Sequence, residues 1–181
     1  MRIEERNTGE ETSNLCEIVI ETIRELRSKL ETVIIESSVG ASASKQLKTH
    51  MYNKLVVEGW RPQFKISKQV SAVYPLANFV LDAMRDFSSG NCMHTHRFFV
   101  EFCFDNRQAI GSNILKFEVA SRIAHEASFQ PVSVLICAET DALRYFGWDG
   151  SIASASEYEY ALRAIYRDIV KFPPIILALH N

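Results

Sequence analysis

The 181-residue chain has no apolar run near the ~18 residues a membrane span needs, and its start (MRIEERNTGEETS) lacks the apolar stretch of a secretory signal. Its four cysteines, Cys16, Cys92, Cys103 and Cys137, are scattered and include no CxxC pair. Without a secretion signal, that usage predicts free thiols in a reducing cytoplasm. Neither GxGxxG nor GxxxxGK[ST] occurs, which removes the common phosphate-cradling loops. No charge of one sign dominates either: 20 Lys+Arg face 22 Asp+Glu, a net −2. What is present is apolar material, 47% against 23% charged, which argues against disorder. The length suits one domain, 1–181, with its own core.

The small net charge conceals an uneven distribution. Residues 1–44 carry a balance of −4, residues 45–122 of +5 and residues 123–181 of −3. A basic centre suits a polyanion such as DNA, whose binding rests on Lys and Arg neutralising phosphates, but an ordinary surface also produces such unevenness.

Periodicity places the elements. Leu15, Val19, Ile23, Leu26, Leu30 and Val33 recur at helical spacing, predicting an N-terminal helix over 13–35 with Glu25 and Lys29 paired four apart. The small, polar stretch 36–44 reads as a linker. Ser44 is expected to cap a second helix that buries Leu47, Met51 and Leu55 and ends at Gly59, before Arg61-Pro62. RPQFKIS and ANFVLDAM read as strands, and DFSSGN as a turn. In HRFFVEFCFDN, Phe98, Val100, Phe102 and Phe104 share one face, while Phe99, Glu101, Cys103 and Asp105 share the other. Ile110, Ile114, Phe117, Ser121 and Ala124 predict a helix, and VSVLICA a buried strand. Arg144, Tyr145, Phe146 and Trp148 fall in a predicted loop suited to packing, base stacking or a dimer contact. Tyr158, Leu162, Ile165 and Ile169 predict a last helix over about 156–171, followed by Pro173-Pro174 and a terminal strand, IILAL. The order implies an α/β fold, a mixed sheet flanked by helices.

Acids that interrupt apolar strands are costly unless solvated, paired or holding a cation. Asp82 and Glu101 are such acids, and converging carboxylates with a carbonyl and water suit Mg²⁺, though an outward-facing pair on a half-exposed sheet has the same pattern. Cys92-x-His94-x-His96 has zinc-type residues without a closed set, which suits an exposed hairpin end better. Cys103 as a nucleophile with a distant His is the weakest alternative.

VLDAM with Asp82, FFVEFCFDN with Glu101 and Asn106, RQAIGSNILKFE entering a helix, and the upstream YNKLVVEGW together resemble the PD-(D/E)XK nuclease core, more narrowly restriction endonucleases of the BglII/BstYI type. The resemblance covers about residues 44–138, with the two end helices flanking it. It implies a Mg²⁺-dependent type II restriction endonuclease acting on double-stranded DNA, with Mn²⁺ as a substitute. Asp82 and Glu101 would be the metal carboxylates and the Phe102 carbonyl a third ligand, with Asp86 an alternative to Asp82. The family's usual lysine is replaced by Cys103, so Lys116 on the following helix is the candidate for its role. Arg107, Gln108 and Asn113 are candidates for DNA contacts. A homodimer is expected, since palindromic sites mirror two-fold symmetry. Cys103 also leaves open a catalytically silent DNA-binding or protein-interaction module of the same fold.

Overall fold

Burial confirms the alternation of the central strand: Phe98, Val100, Phe102 and Phe104 belong to one core, and Phe99 and Cys103 to another on the opposite face. The computed structural model describes residues 2–8, 16–36, 43–66, 79–88, 94–104, 106–148 and 150–181. Leu15, Cys92 and Asp105, together with most of the 36–44 linker, lie outside the described residues.

The elements run β1 (Arg2–Asn7), α1 (Glu17–Glu36), α2 (Ala43–Val57), β2 (Arg61–Lys65), β3 (Val80–Phe87), β4 (His96–Phe102), α3 (Ile110–Glu126), β5 (Gln130–Ala138), α4 (Thr140–Phe146), α5 (Ala155–Tyr160) and β6 (Ile175–His180). The strands form one sheet in the order β1-β6-β5-β4-β3-β2. β4, β5 and β6 are parallel neighbours, while β2, β3 and β1 pair antiparallel with theirs. Parallel pairing of β4 with β5 requires a crossover, which α3 supplies. Pro62 is tolerated because β2 is an edge strand.

Helices cover both faces. The stripes Val19, Ile23, Leu26, Leu30 and Val33 of α1 and Leu47, Met51 and Leu55 of α2 pack with Val100, Phe102 and Ile136 on one side. Ile114, Phe117 and Ala124 of α3 and Tyr158 of α5 pack with Phe99, Leu135 and Cys137 on the other. Lys29 lies 3.9 Å from Glu25 and closer, at 2.9 Å, to Glu58 beyond α2, so the expected helix-face pair also ties two helices together. Gly59 has φ +84, a left-handed conformation that closes the α2 end and favours glycine.

Several elements differ from expectation. β1 pairs along all six residues with β6, although its charged sequence buries only Ile3, as an edge strand can. Helix α2 begins at Ala43, so Ser44 lies inside it. The segment expected as an aromatic loop contains α4, with Phe146 and Trp148 buried and stacked 4.7 Å apart; Tyr145 is half exposed. The last helix does not reach 171: α5 passes into a π-helical turn over Ala161–Ile165, where Tyr166 N–H donates to the Ala161 carbonyl. A π-turn inserts a residue and rotates everything after it. Tyr158 and Leu162 therefore remain buried while Ile165 and Ile169 turn outward. Cys16 is disulfide-bonded, correcting the expectation of free thiols throughout; Cys103 and Cys137 are free. No helix among the described residues is long and apolar enough to cross a membrane.

Ser154 begins α5 through a full capping box: its side chain accepts from Glu157 N–H, and the Glu157 carboxylate accepts from Ser154 N–H. Ser154→Ala is expected to destabilise the protein by about 1 kcal/mol in urea unfolding, with an unchanged m-value.

Candidate active site

The β3–β4 ladder runs from Phe87↔His96 to Ala83↔Val100. One step further in that register, Asp82 stands opposite Glu101, and side chains replace the backbone ladder. Asp82 N–H donates to Glu101 Oε2 at 3.0 Å, and Phe102 N–H donates to Asp82 Oδ2 at 2.8 Å. On the other flank of β3, pairing passes from Pro62↔Ala83 to Phe64↔Leu81, leaving Gln63 beside Asp82 with φ +50. A non-glycine residue in that conformation is strained, and such strain gathers where a fold shapes a site.

Helices on both faces bring cations to this point. From α2, Lys48 Nζ lies 3.0 Å from Asp82 Oδ1, and the Tyr52 hydroxyl donates to the same oxygen. Lys48 and Tyr52 are four residues apart and share a helix face. The Tyr52 ring meets Phe102 edge-on, with centroids 5.6 Å apart. From α3, Lys116 Nζ pairs with Glu101 Oε1 and lies 3.4 Å from the Val80 carbonyl. The result is two carboxylates and two ammonium groups at the splayed end of two strands. The Glu101 side chain is 4% exposed and that of Asp82 11%, against 31% for Lys48. Burial, and next the neighbouring Asp82 charge, push the Glu101 carboxyl up to about 7, while Lys116 and Lys48 act in the opposite direction.

Of the predicted site residues, Asp82, Glu101, Phe102 and Lys116 meet here. Asp86 does not: Arg97 grips it with Nε at 2.7 Å and Nη2 at 2.9 Å, in a pair across the β3–β4 ladder. Cys103 is fully buried, and burial pushes its thiol well above the usual range, with Cys137 and Glu101 adding to the shift. That environment disfavours the thiolate a nucleophile requires. It equally leaves Cys103 without a charge to offer the site. Asn113 is also interior, donating to the Tyr158 hydroxyl at 2.8 Å and facing Cys103 Sγ at 3.9 Å, so it is not available to DNA. Its spacing with Phe117, Ala120 and Ala124 already marks it as a buried-face residue of α3. Arg107 and Gln108 are exposed, and Arg107 is engaged by Glu157 and the Gly150 carbonyl. His94 is exposed, and His96 is partly buried, with its pKa lowered by burial and by His94.

Lys48 and Tyr52 were not singled out by the sequence. Both border the buried stripe of Leu47, Met51 and Leu55, which is the available signal that they face the strands.

The donor set at this point consists of hard oxygens: two carboxylates, with the Phe102 carbonyl directed to the same strand edge as its N–H. Its charge is compensated by cations already seated on it. The oxygen donors fit a small divalent ion that retains several waters, and Asp82, Glu101 and Phe102 are the residues that would hold it. Among the described residues, no group of three or more His, Cys, Asp or Glu forms a larger cage.

No protein-family model matches the sequence, and no curated protein matches it significantly. In three dimensions the chain is similar to restriction endonuclease BglII, solved in complex with a DNA 16-mer: TM-score 0.65, 11% identity, covering 100% of this chain and 77% of that one. This likeness establishes the fold. The mixed six-stranded sheet flanked by helices is an α/β fold like that of this restriction endonuclease.

Proposed function

We propose that this protein is a metal-dependent endonuclease that hydrolyses phosphodiester bonds of double-stranded DNA at a specific sequence, a type II restriction endonuclease related to the BglII/BstYI type. The observation that carries the reading is the Asp82–Glu101 pair, placed at the splayed strand ends of a fold shared with a DNA-bound endonuclease. Mg²⁺, or Mn²⁺ in its place, would supply a polarised water and neutralisation of charge on the phosphate. Asp82 and Glu101 bind it, with the Phe102 carbonyl as a further oxygen. Tyr52 and Phe102 N–H fix the Asp82 carboxylate, and Lys116 holds Glu101. Arg107 and Gln108 stand exposed before α3, within the region of positive charge balance, and suit phosphate or base-edge contacts. A homodimer matches a palindromic site.

Digestion of unmethylated plasmid and phage DNA with Mg²⁺, Mn²⁺ or EDTA tests this reading. Discrete fragments with either metal, and none in EDTA, are expected. Metal-independent cleavage, or neither cleavage nor DNA binding, would overturn it. One observation favours a second reading, a silent module of the same fold: the buried Cys103 brings no cation to the site. DNA binding with no metal-dependent change in melting temperature would select that alternative.

A further inference from the structure

Among the described residues, two carboxylates and two ammonium groups meet at the strand ends, and the two ammonium groups differ in exposure. The Lys116 side chain is 14% exposed, and its ammonium lies near the Val80 carbonyl as well as Glu101, so it keeps an acceptor if Glu101 is engaged elsewhere. Lys48 is more exposed, at 31%, and reaches Asp82 from the flank of α2 on a flexible four-carbon stem. Asp82 retains Tyr52 and Phe102 N–H as donors when Lys48 departs, so the carboxylate stays oriented without it.

We propose that Lys48 is an exchangeable counter-ion: it occupies Asp82 in the metal-free protein, leaves when a divalent cation is bound there, and then contacts a DNA phosphate beside the site. The inference rests on the nuclease reading and names a residue that its resemblance did not supply. With Glu101 ionised, Asp82, Glu101, Lys48 and Lys116 sum to zero charge in the metal-free protein. With a divalent cation on the carboxylates the cluster, metal included, carries an excess of two positive charges, and the more exposed ammonium is the one repelled. Its direction of escape is toward solvent, where a phosphodiester is the anion that gains from it. Lys48 thus has two opposed effects, competing with the metal in free protein and strengthening the DNA complex once metal is present.

The test uses the 181-residue chain. Calorimetric Mg²⁺ titration without DNA compares wild type with Lys48→Met, Lys48→Gln and Lys48→Arg. The two neutral variants are expected to bind Mg²⁺ roughly 3- to 10-fold more tightly, whereas Lys48→Arg, which retains the charge, stays near wild type. A duplex oligonucleotide is then bound across a salt series with Ca²⁺, a hard cation of the same oxygen preference, or with EDTA. In Ca²⁺ the neutral variants should lose about one phosphate's worth of salt dependence; in EDTA, with Lys48 on Asp82, the slope should be unchanged. Unchanged or weaker Mg²⁺ binding by both neutral variants would overturn the exchange, as would an equal loss of slope in EDTA. Failure of wild type itself to bind Mg²⁺ would overturn the nuclease reading, and this inference with it.

Discussion

Replacing Glu101 with glutamine is expected to move stability and activity in opposite directions. Glu101 sits almost wholly buried beside Asp82, and its carboxyl is pushed up to about 7 by burial first and by that neighbouring charge second. The folded protein therefore holds a proton on Glu101 over a pH range in which the unfolded chain has released it. Stability from this group is fully present below pH about 4.5 and is lost as pH rises through about 7. Glutamine stays neutral throughout. At pH 8 the metal-free Glu101→Gln protein is expected to be more stable than wild type by about 1–3 kcal/mol, a rise in Tm of several degrees, with no gain near pH 4.5. Metal-dependent cleavage should meanwhile fall by roughly 10³-fold or more, because the site has lost one of its two carboxylates. Thermal melts across pH, paired with cleavage rates, read both effects. A variant less stable than wild type at pH 8 would show that the Lys116 pairing outweighs the cost of charge burial.

Asp82→Ala removes the other carboxylate and should have a comparable effect on cleavage, again roughly 10³-fold or more. Its effect on stability has the ordinary sign. Phe102 N–H, a buried donor, loses its acceptor. Stranding a buried donor costs about 1–3 kcal/mol. A second consequence separates this variant from a general loss of packing. Since the Asp82 charge helps to raise the Glu101 carboxyl, that group should titrate closer to the ordinary range in Asp82→Ala. The fall in stability toward high pH should then begin at lower pH and be smaller than in wild type. A pH–stability profile with the wild-type midpoint would show that burial alone sets the titration of Glu101.

The parts of the site legible in the sequence were those that depend on period and on residue type. Two-residue alternation marks Glu101 as sharing a strand face with Phe99 and Cys103, and Asp82 is conspicuous because an acid in an apolar strand requires a reason. What alternation does not contain is register. The choice between Asp82 and Asp86 depends on where β3 meets β4, and only the pairing shows that Asp86 stands opposite Arg97 and Asp82 opposite Glu101. Lys48 and Tyr52 were hidden for the same reason, since a polar residue flanking an apolar helical stripe looks identical whether it meets solvent or a strand end. Asn113 was misplaced by reading its chemistry ahead of its period. β1 escaped notice because antiparallel pairing with β6 uses backbone groups that any sequence carries, and its charged side chains suit an edge. The π-turn after Tyr160 broke a helical stripe that was continuous on paper.

The most direct test of the account is calorimetric titration of Mg²⁺ into the 181-residue chain without DNA, which is independent of any recognition sequence. One site per chain is expected in wild type, with affinity that increases as pH rises through about 7, where Glu101 ionises, and with no binding heat in an Asp82→Asn, Glu101→Gln double variant. Mg²⁺ binding that persists undiminished in the double variant, or is absent from wild type at pH 8, would contradict the assignment of Asp82 and Glu101 as the metal-holding pair.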